Sequence, residues 1–264
     1  MKKYIEISKI YLKAQLVWRA DTLINMLFTI TKILFAYLIW SVIFDGKDMV
    51  AGFTFHTMLS YYIISSFLSQ IEMSSGISGE ISHRIRNGTF SKYMVIPINT
   101  FRYFLSMEIG CVAFYLSFDF LAAIIWIFLF HIKFAFTSNT ILIICAVVMI
   151  LLGLFFMVQL NYFLGILTLK FEEISTFLMI KDNLVALITG TIIPLALFPD
   201  GFIQWLKIFP FYYVTYLPSM LLIGRCDGEA FLGLAVLACW CIAFAIINKI
   251  IYERYRTRYD GVGI

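Results

Sequence analysis

Apolar residues run through this chain in long blocks, with polar residues gathered in the gaps between them. Blocks over 22–44, 53–71, 104–130, 140–169, 183–198 and 230–251 approach or exceed the ~20 residues that carry a helix across a bilayer. The fifth is short and broken by Gly190 and Pro194. Residues 2–19 follow another rule. Lys2, Glu6, Lys9 and Lys13 recur at steps of three and four and share one helix face, with Ile5, Tyr11, Leu12 and Trp18 largely on the other. A basic helix of this kind lies in the interface plane of an anionic leaflet; the alternative is a helix packed on its neighbours. Asp21 and Thr22 suit the N-cap of the first span. The expected fold class is an all-α polytopic membrane protein with six transmembrane helices, residues 1–264 forming one transmembrane domain.

The longest polar gap is 79–97, GEISHRIRNGTFSKYMVIP. Asn87-Gly88 reads as a helix stop, because glycine suits the left-handed residue after a helix. Thr89 can then cap a short helix over 90–96 that Pro97 ends. Lys170, Glu172, Glu173, Lys181 and Asp182 are expected in a second polar loop. Beyond the turn Pro199-Asp200-Gly201, the segment 202–224 is aromatic and cut by Pro210 and Pro218 into pieces too short to cross. The stretch 199–224 therefore reads as re-entrant or interfacial, with Trp205, Tyr212, Tyr213 and Tyr216 at headgroup depth.

Composition supports the class. The chain is 62% hydrophobic and 14% charged, against about 45–50% and about 25% in soluble domains. Ten-residue alternating strands of a β-barrel are absent. The net charge of +4 is small, but the placement of Lys and Arg is uneven. The start, the 79–97 region, the second polar loop and the tail with Arg254, Arg256 and Arg258 are basic. By the positive-inside rule both termini and the central loop are cytoplasmic. Charged residues interrupt any leader-like apolar core at the start, so no cleavable signal is expected. Five cysteines, mostly in apolar blocks, form no disulfide or zinc pattern.

Few residues offer chemistry. There is no G-x-x-x-x-G-K-[ST] phosphate loop, so an ATPase would have to be another chain. His56, His83 and His131 show no metal-ligand spacing, and no metal site is expected. Lys32 sits about ten residues from either end of its span, roughly 15 Å deep. A charge there costs about 2.5–3.5 kcal/mol on insertion scales and normally faces protein or water. Glu108 and Asp119 in the third span are its obvious partners; the choice is between a structural ion pair and a cation lining a translocation path. Glu108 and Asp119 lie about 16 Å apart along one helix axis, which disfavours a two-acid intramembrane enzyme. Gln159 and Asn161 in the fourth span can hydrogen-bond between helices. A secondary transporter is the other competing class, though no matched pair of broken helices supports it.

The layout resembles the membrane subunits of ABC-2 type exporters, over essentially the whole chain. Glu80, Arg86, Gly88, Thr89 and Pro97 are similar to that family's E…R.GT…P coupling region, and Pro194, Phe198-Pro199 and Pro210-Phe211 to its proline-marked fifth-span region. The resemblance implies a plasma-membrane, multi-pass permease that works with a second permease chain and cytoplasmic ABC ATPase subunits. ATP and magnesium would sit on the ATPase, leaving this chain no cofactor and no catalytic residue. Membrane lipids are expected contacts and nucleic acid is not. It further implies coupling through 79–97: Phe90, Tyr93 and Met94 filling a groove on the ATPase, and Glu80, Arg84 and Arg86 supplying charge pairs. Lys32, Glu108, Asp119 and Asn161 are then candidates for the translocation path. The short loop between the first two spans leaves no room for a large extracellular domain, and the apolar, aromatic spans suit an amphipathic cargo.

Overall fold

The apolar blocks become helices. The computed structural model describes residues 2–17, 19–72, 75–171, 174–190 and 194–257; the side chains of 19–23, 25, 26, 29, 32, 70–72 and 75 are outside the description. In chain order the α-helices are α1 (Lys2–Gln15), α2 (Arg19–Ile43), α3 (Phe55–Glu72), α4 (Ser75–Arg86), α5 (Ser91–Val95), α6 (Thr100–Leu129), α7 (Thr140–Leu167), α8 (Ser175–Ile188), α9 (Asp200–Leu206), α10 (Leu217–Leu222) and α11 (Ala230–Arg256). No strand occurs among the described residues. The two longest helices start on asparagine caps: Asn99 accepts from the Arg102 amide and Asn139 from the Ile141 amide.

Three helical stretches are long and apolar enough to cross a membrane: α6, α7 and Asp227–Arg256, which contains α11. The other three expected spans do not meet that test among the described residues. In α2 the apolar stretch that counts is Ile33–Ile43. α3 carries Ser60, Ser65, Ser66 and Ser69, whose hydroxyls donate to carbonyls three or four residues back, so their polarity is satisfied within the helix. α8 has 14 residues.

α7 is the axis of the bundle. Its faces meet α3, α4, α6, α10 and α11, and its second half is buried almost without interruption from Phe156 to Ile166. An amphipathic stripe is absent because the side of α7 that does not face its neighbours, with Ile141, Ile144, Val147 and Leu151 exposed, is apolar as well. The largest core group joins α7 to α3, α11 and the 211–222 region through Phe53, Tyr61, Phe156, Tyr213 and Leu217. A second group, at the end of the bundle holding the start of α6, joins α4, α5, α6 and α7. Exposed apolar side chains such as Phe120, Phe128, Val147, Leu151, Ile242 and Ile246 coat the outer faces of the long helices, far more apolar surface than a monomer leaves in water.

Several expectations change. α1 runs alongside the first part of α6. Ser8 Oγ donates to Ser106 O at 2.6 Å, the Tyr11 and Tyr103 hydroxyls meet at 2.8 Å, and Gln15 reaches Cys111 and Tyr115. Gly110 permits this approach, since a Cβ there would overlap the Ser8 carbonyl. α1 therefore packs along α6 on one side, with none of its residues buried, while Trp18 lies outside the described residues. Lys181 and Asp182 are in the middle of α8, not in a loop; Glu172 and Glu173 lie outside the described residues. The expected span 183–198 is interrupted: α8 ends at Ile188, Gly190 takes φ +81°, and a 3₁₀ turn follows at Leu195–Leu197. Pro218 does not cut its segment. A π-helical turn, Tyr212–Tyr216, runs straight into α10, with Pro218 the second residue of the α-helical part. Tyr212, Tyr213 and Tyr216 are core residues, and of the four aromatics only Trp205 is exposed.

Candidate functional site

The site is the α4–α5 corner and the helices it rests on. α4 stops as expected: Gly88 adopts φ +70°, and its amide bonds to the Ile85 carbonyl. Thr89 does not cap α5. Its hydroxyl donates back to Arg84 O at 3.4 Å, and the Phe90 amide bonds the same carbonyl at 3.0 Å. Thus Thr89 closes the end of α4, while Phe90 holds the N-cap position of α5 without a side-chain bond.

Phe90 and Tyr93 do not face outward. Phe90 is 0% exposed and Tyr93 is buried beside it, both packed with Phe104 and Met107 of α6 and Tyr162 of α7. A five-residue helix has no stability of its own, so these two rings fix α5 to the bundle. What α5 presents is its other side: Met94, Val95 at 84% exposure and Ile96. Glu80 and Arg84 likewise pair within the chain, Nη2 to Oε1 at 2.6 Å, one helical turn apart. The Arg84 guanidinium lies 5.4 Å from the Tyr93 ring centroid, so the pair braces α5 from behind. Burial raises the Tyr93 phenol above its ordinary pKa, so it stays neutral. Arg86 is exposed at the end of α4. Pro97 follows the tip, and its carbonyl accepts from Lys3 Nζ at 2.9 Å, tying the start of α1 to the corner.

Behind the corner lies a polar node. Asn161 is fully buried on α7. Its Oδ1 accepts from Lys181 Nζ of α8 at 2.8 Å and from Ser78 Oγ of α4 at 3.4 Å, and its Nδ2 donates to Met157 O. Lys181 also pairs with Asp182. One amide therefore joins three helices. Asn161 was legible as an interhelical hydrogen-bonding residue. Lys181 was missed as a member of the node, because a Lys-Asp pair next to Glu172 and Glu173 reads as a solvated loop. The apolar flanks Phe177, Leu178, Met179 and Ile180 were the available signal for a helix.

The remaining candidates do not converge here. Glu108 and Asp119 are both buried on α6, eleven positions apart. Lys32 lies on α2, but its side chain is outside the described residues. Among the described residues no cluster of His, Cys, Asp or Glu could hold a metal ion.

A helical bundle with long apolar spans of this kind fits a membrane protein. The family model described as "ABC-2 family transporter protein" matches residues 30–263, and the chain belongs to that family. No curated protein matches it.

Proposed function

We propose that this chain is the membrane-spanning permease subunit of an ATP-driven exporter in the cell membrane, with six spans and both termini cytoplasmic. It pairs with a second permease chain and docks a cytoplasmic ABC ATPase that carries the ATP and magnesium. The observation that carries the reading is the α5 tip, where Met94, Val95 and Ile96 form an exposed apolar knob on a braced base. Family membership supports it.

The base gives the knob its use. A push on α5 reaches α6 through Phe104 and α7 through Tyr162. A push on α4 reaches α7 and α8 through the Ser78–Asn161–Lys181 node. Closely packed elements move as units, so closure of the ATPases shifts these helices together and opens a path for an amphipathic cargo. Lys32 is the candidate cation for one of the two buried carboxylates of α6, Glu108 or Asp119.

The test is Val95→Asp. The side chain is exposed, so folding is spared, while an apolar groove on a partner would reject the charge. The tagged wild-type chain, extracted gently from its host, is expected to carry a stoichiometric ATPase and a permease partner. The variant is expected to lose the ATPase and keep its yield. Equal ATPase recovery with both chains, or none with either, would overturn the proposal.

A further inference from the structure

α8 is tied to the bundle at two levels. Lys181 Nζ donates to Asn161 Oδ1 at 2.8 Å, and Asn161 lies about 9 Å before the end of α7. Just past the end of α8, the Gly190 carbonyl accepts from the Tyr61 hydroxyl at 2.9 Å. Tyr61 lies about 9 Å from the start of α3. The loop before α7 bonds His56 and Ser60 near that start, so the start of α3 and the end of α7 are at opposite ends of the bundle. α8 therefore stands within the membrane-spanning height, with Lys181 and Asp182 near its middle.

One side of α8 does this packing. Leu178, Val185 and Ile188 join the largest core group, and Lys181 follows the same side. The other side is presented outward, with Met179, Asp182, Asn183 and Leu187 exposed. The Lys181–Asp182 pair is split between the two: the lysine side chain is 10% exposed and the aspartate 45%. Asn183 Nδ2 donates to the Met179 carbonyl at 2.8 Å, which holds the amide on the outward side. Mid-way along α7 and α11, by contrast, the exposed residues Val147, Leu151, Ile242 and Ile246 are apolar and suit lipid tails. A carboxylate and an amide do not; at such depth they normally face protein or water.

Resting on the permease reading above, we propose that the outward side of α8 lines the translocation path and holds an amphipathic organic cation as cargo. The charge of the cargo sits at the Asp182 carboxylate, and its apolar body lies on Met179 and Leu187. The sign follows from the geometry. The Lys181 ammonium is buried behind the carboxylate and bonded to Asn161, so a guest meets negative charge first and an anion is repelled. The apolar requirement follows from Phe177, Ile180 and Leu184, exposed along the same helix.

The experiment measures saturable binding of tetraphenylphosphonium and, separately, of tetraphenylborate, ions of one shape and opposite charge. The sample is the full chain purified with the proteins that accompany it. Wild type is expected to bind the cation about tenfold or more tighter than the anion, the worth of one charge-assisted contact. Asp182→Asn is expected to lose that preference and Asp182→Glu to keep it. Met179→Trp, an exposed change that leaves the Lys181–Asn161 bond alone, is expected to abolish cation binding by filling the face; it carries the test if Asp182→Asn fails to fold. No saturable cation binding, equal binding of the two ions, or unchanged binding in the Asn and Trp variants would overturn the proposal. So would a cation-insensitive disulfide between two Asn183→Cys chains in a Cys239→Ser background, since a second copy then seals the face. ATPase recovery from the same samples reports separately. Recovery without cation binding overturns the cargo site alone; cation binding without recovery overturns the ATPase partner and leaves the site standing.

Discussion

Phe90→Ala separates the two roles an aromatic residue can play in the α4–α5 corner. If Phe90 reached into a partner, its loss would weaken docking and leave the isolated chain unchanged. It is instead fully buried between α4, α6 and α7. Removing a core phenylalanine costs about 3–5 kcal/mol, transfer and cavity together. At about 2–4 °C per kcal/mol for a chain of this size, the apparent melting temperature should fall by roughly 6–20 °C. The loss also frees α5, whose five residues keep only Tyr93 as an anchor. A thiol-reactive dye provides the assay in a chain whose exposed Cys239 and half-buried Cys111 and Cys226 are replaced by serine, since Cys145 and Cys241 are buried and label only when the bundle opens. The purified chain should melt lower without any ATPase present. An unchanged melting curve together with lost ATPase recovery would refute the reasoning and return Phe90 to the docking surface.

Other perturbations test other joints. Lys181→Met removes the 2.8 Å charge-assisted bond to Asn161 and should cost about 1.5–3 kcal/mol, read by the same dye assay, with export falling even at permissive temperature. Gly110→Leu drives a side chain into the Ser8 carbonyl and should detach α1, seen as faster proteolysis within residues 2–17 while the rest of the chain survives. Glu229→Gln weakens the Lys207 ion pair at 2.7 Å and the Tyr212 hydroxyl bond at 3.0 Å; with the pair partly exposed, the expected loss is only about 1 kcal/mol, measured as a small melting shift. Lys32→Met should lower membrane-inserted protein if Lys32 neutralises a buried carboxylate on α6, whereas normal yield with an altered cargo range would place it on the path.

The sequence by itself determined the class and the longest elements. Uninterrupted apolar runs had to become α6, α7 and α11, because a backbone in hydrocarbon must satisfy its own hydrogen bonds. Asn87-Gly88 ended α4 by a local rule about φ, and local rules are readable from a few residues. Tertiary structure alone decided which side of each element faces inward. In a chain where nearly every segment is apolar, hydrophobicity no longer marks the core, so Phe90 and Tyr93 read as a docking face when they are anchors and Val95 is the exposed residue. The same limit hid the continuity of α10 across Pro218, which depends on a π-turn supported by packing on α7, and the placement of Lys181 against Asn161 twenty residues away. Polar residues in such a chain gain their meaning from the neighbour that satisfies them, and only packing brings that neighbour within reach.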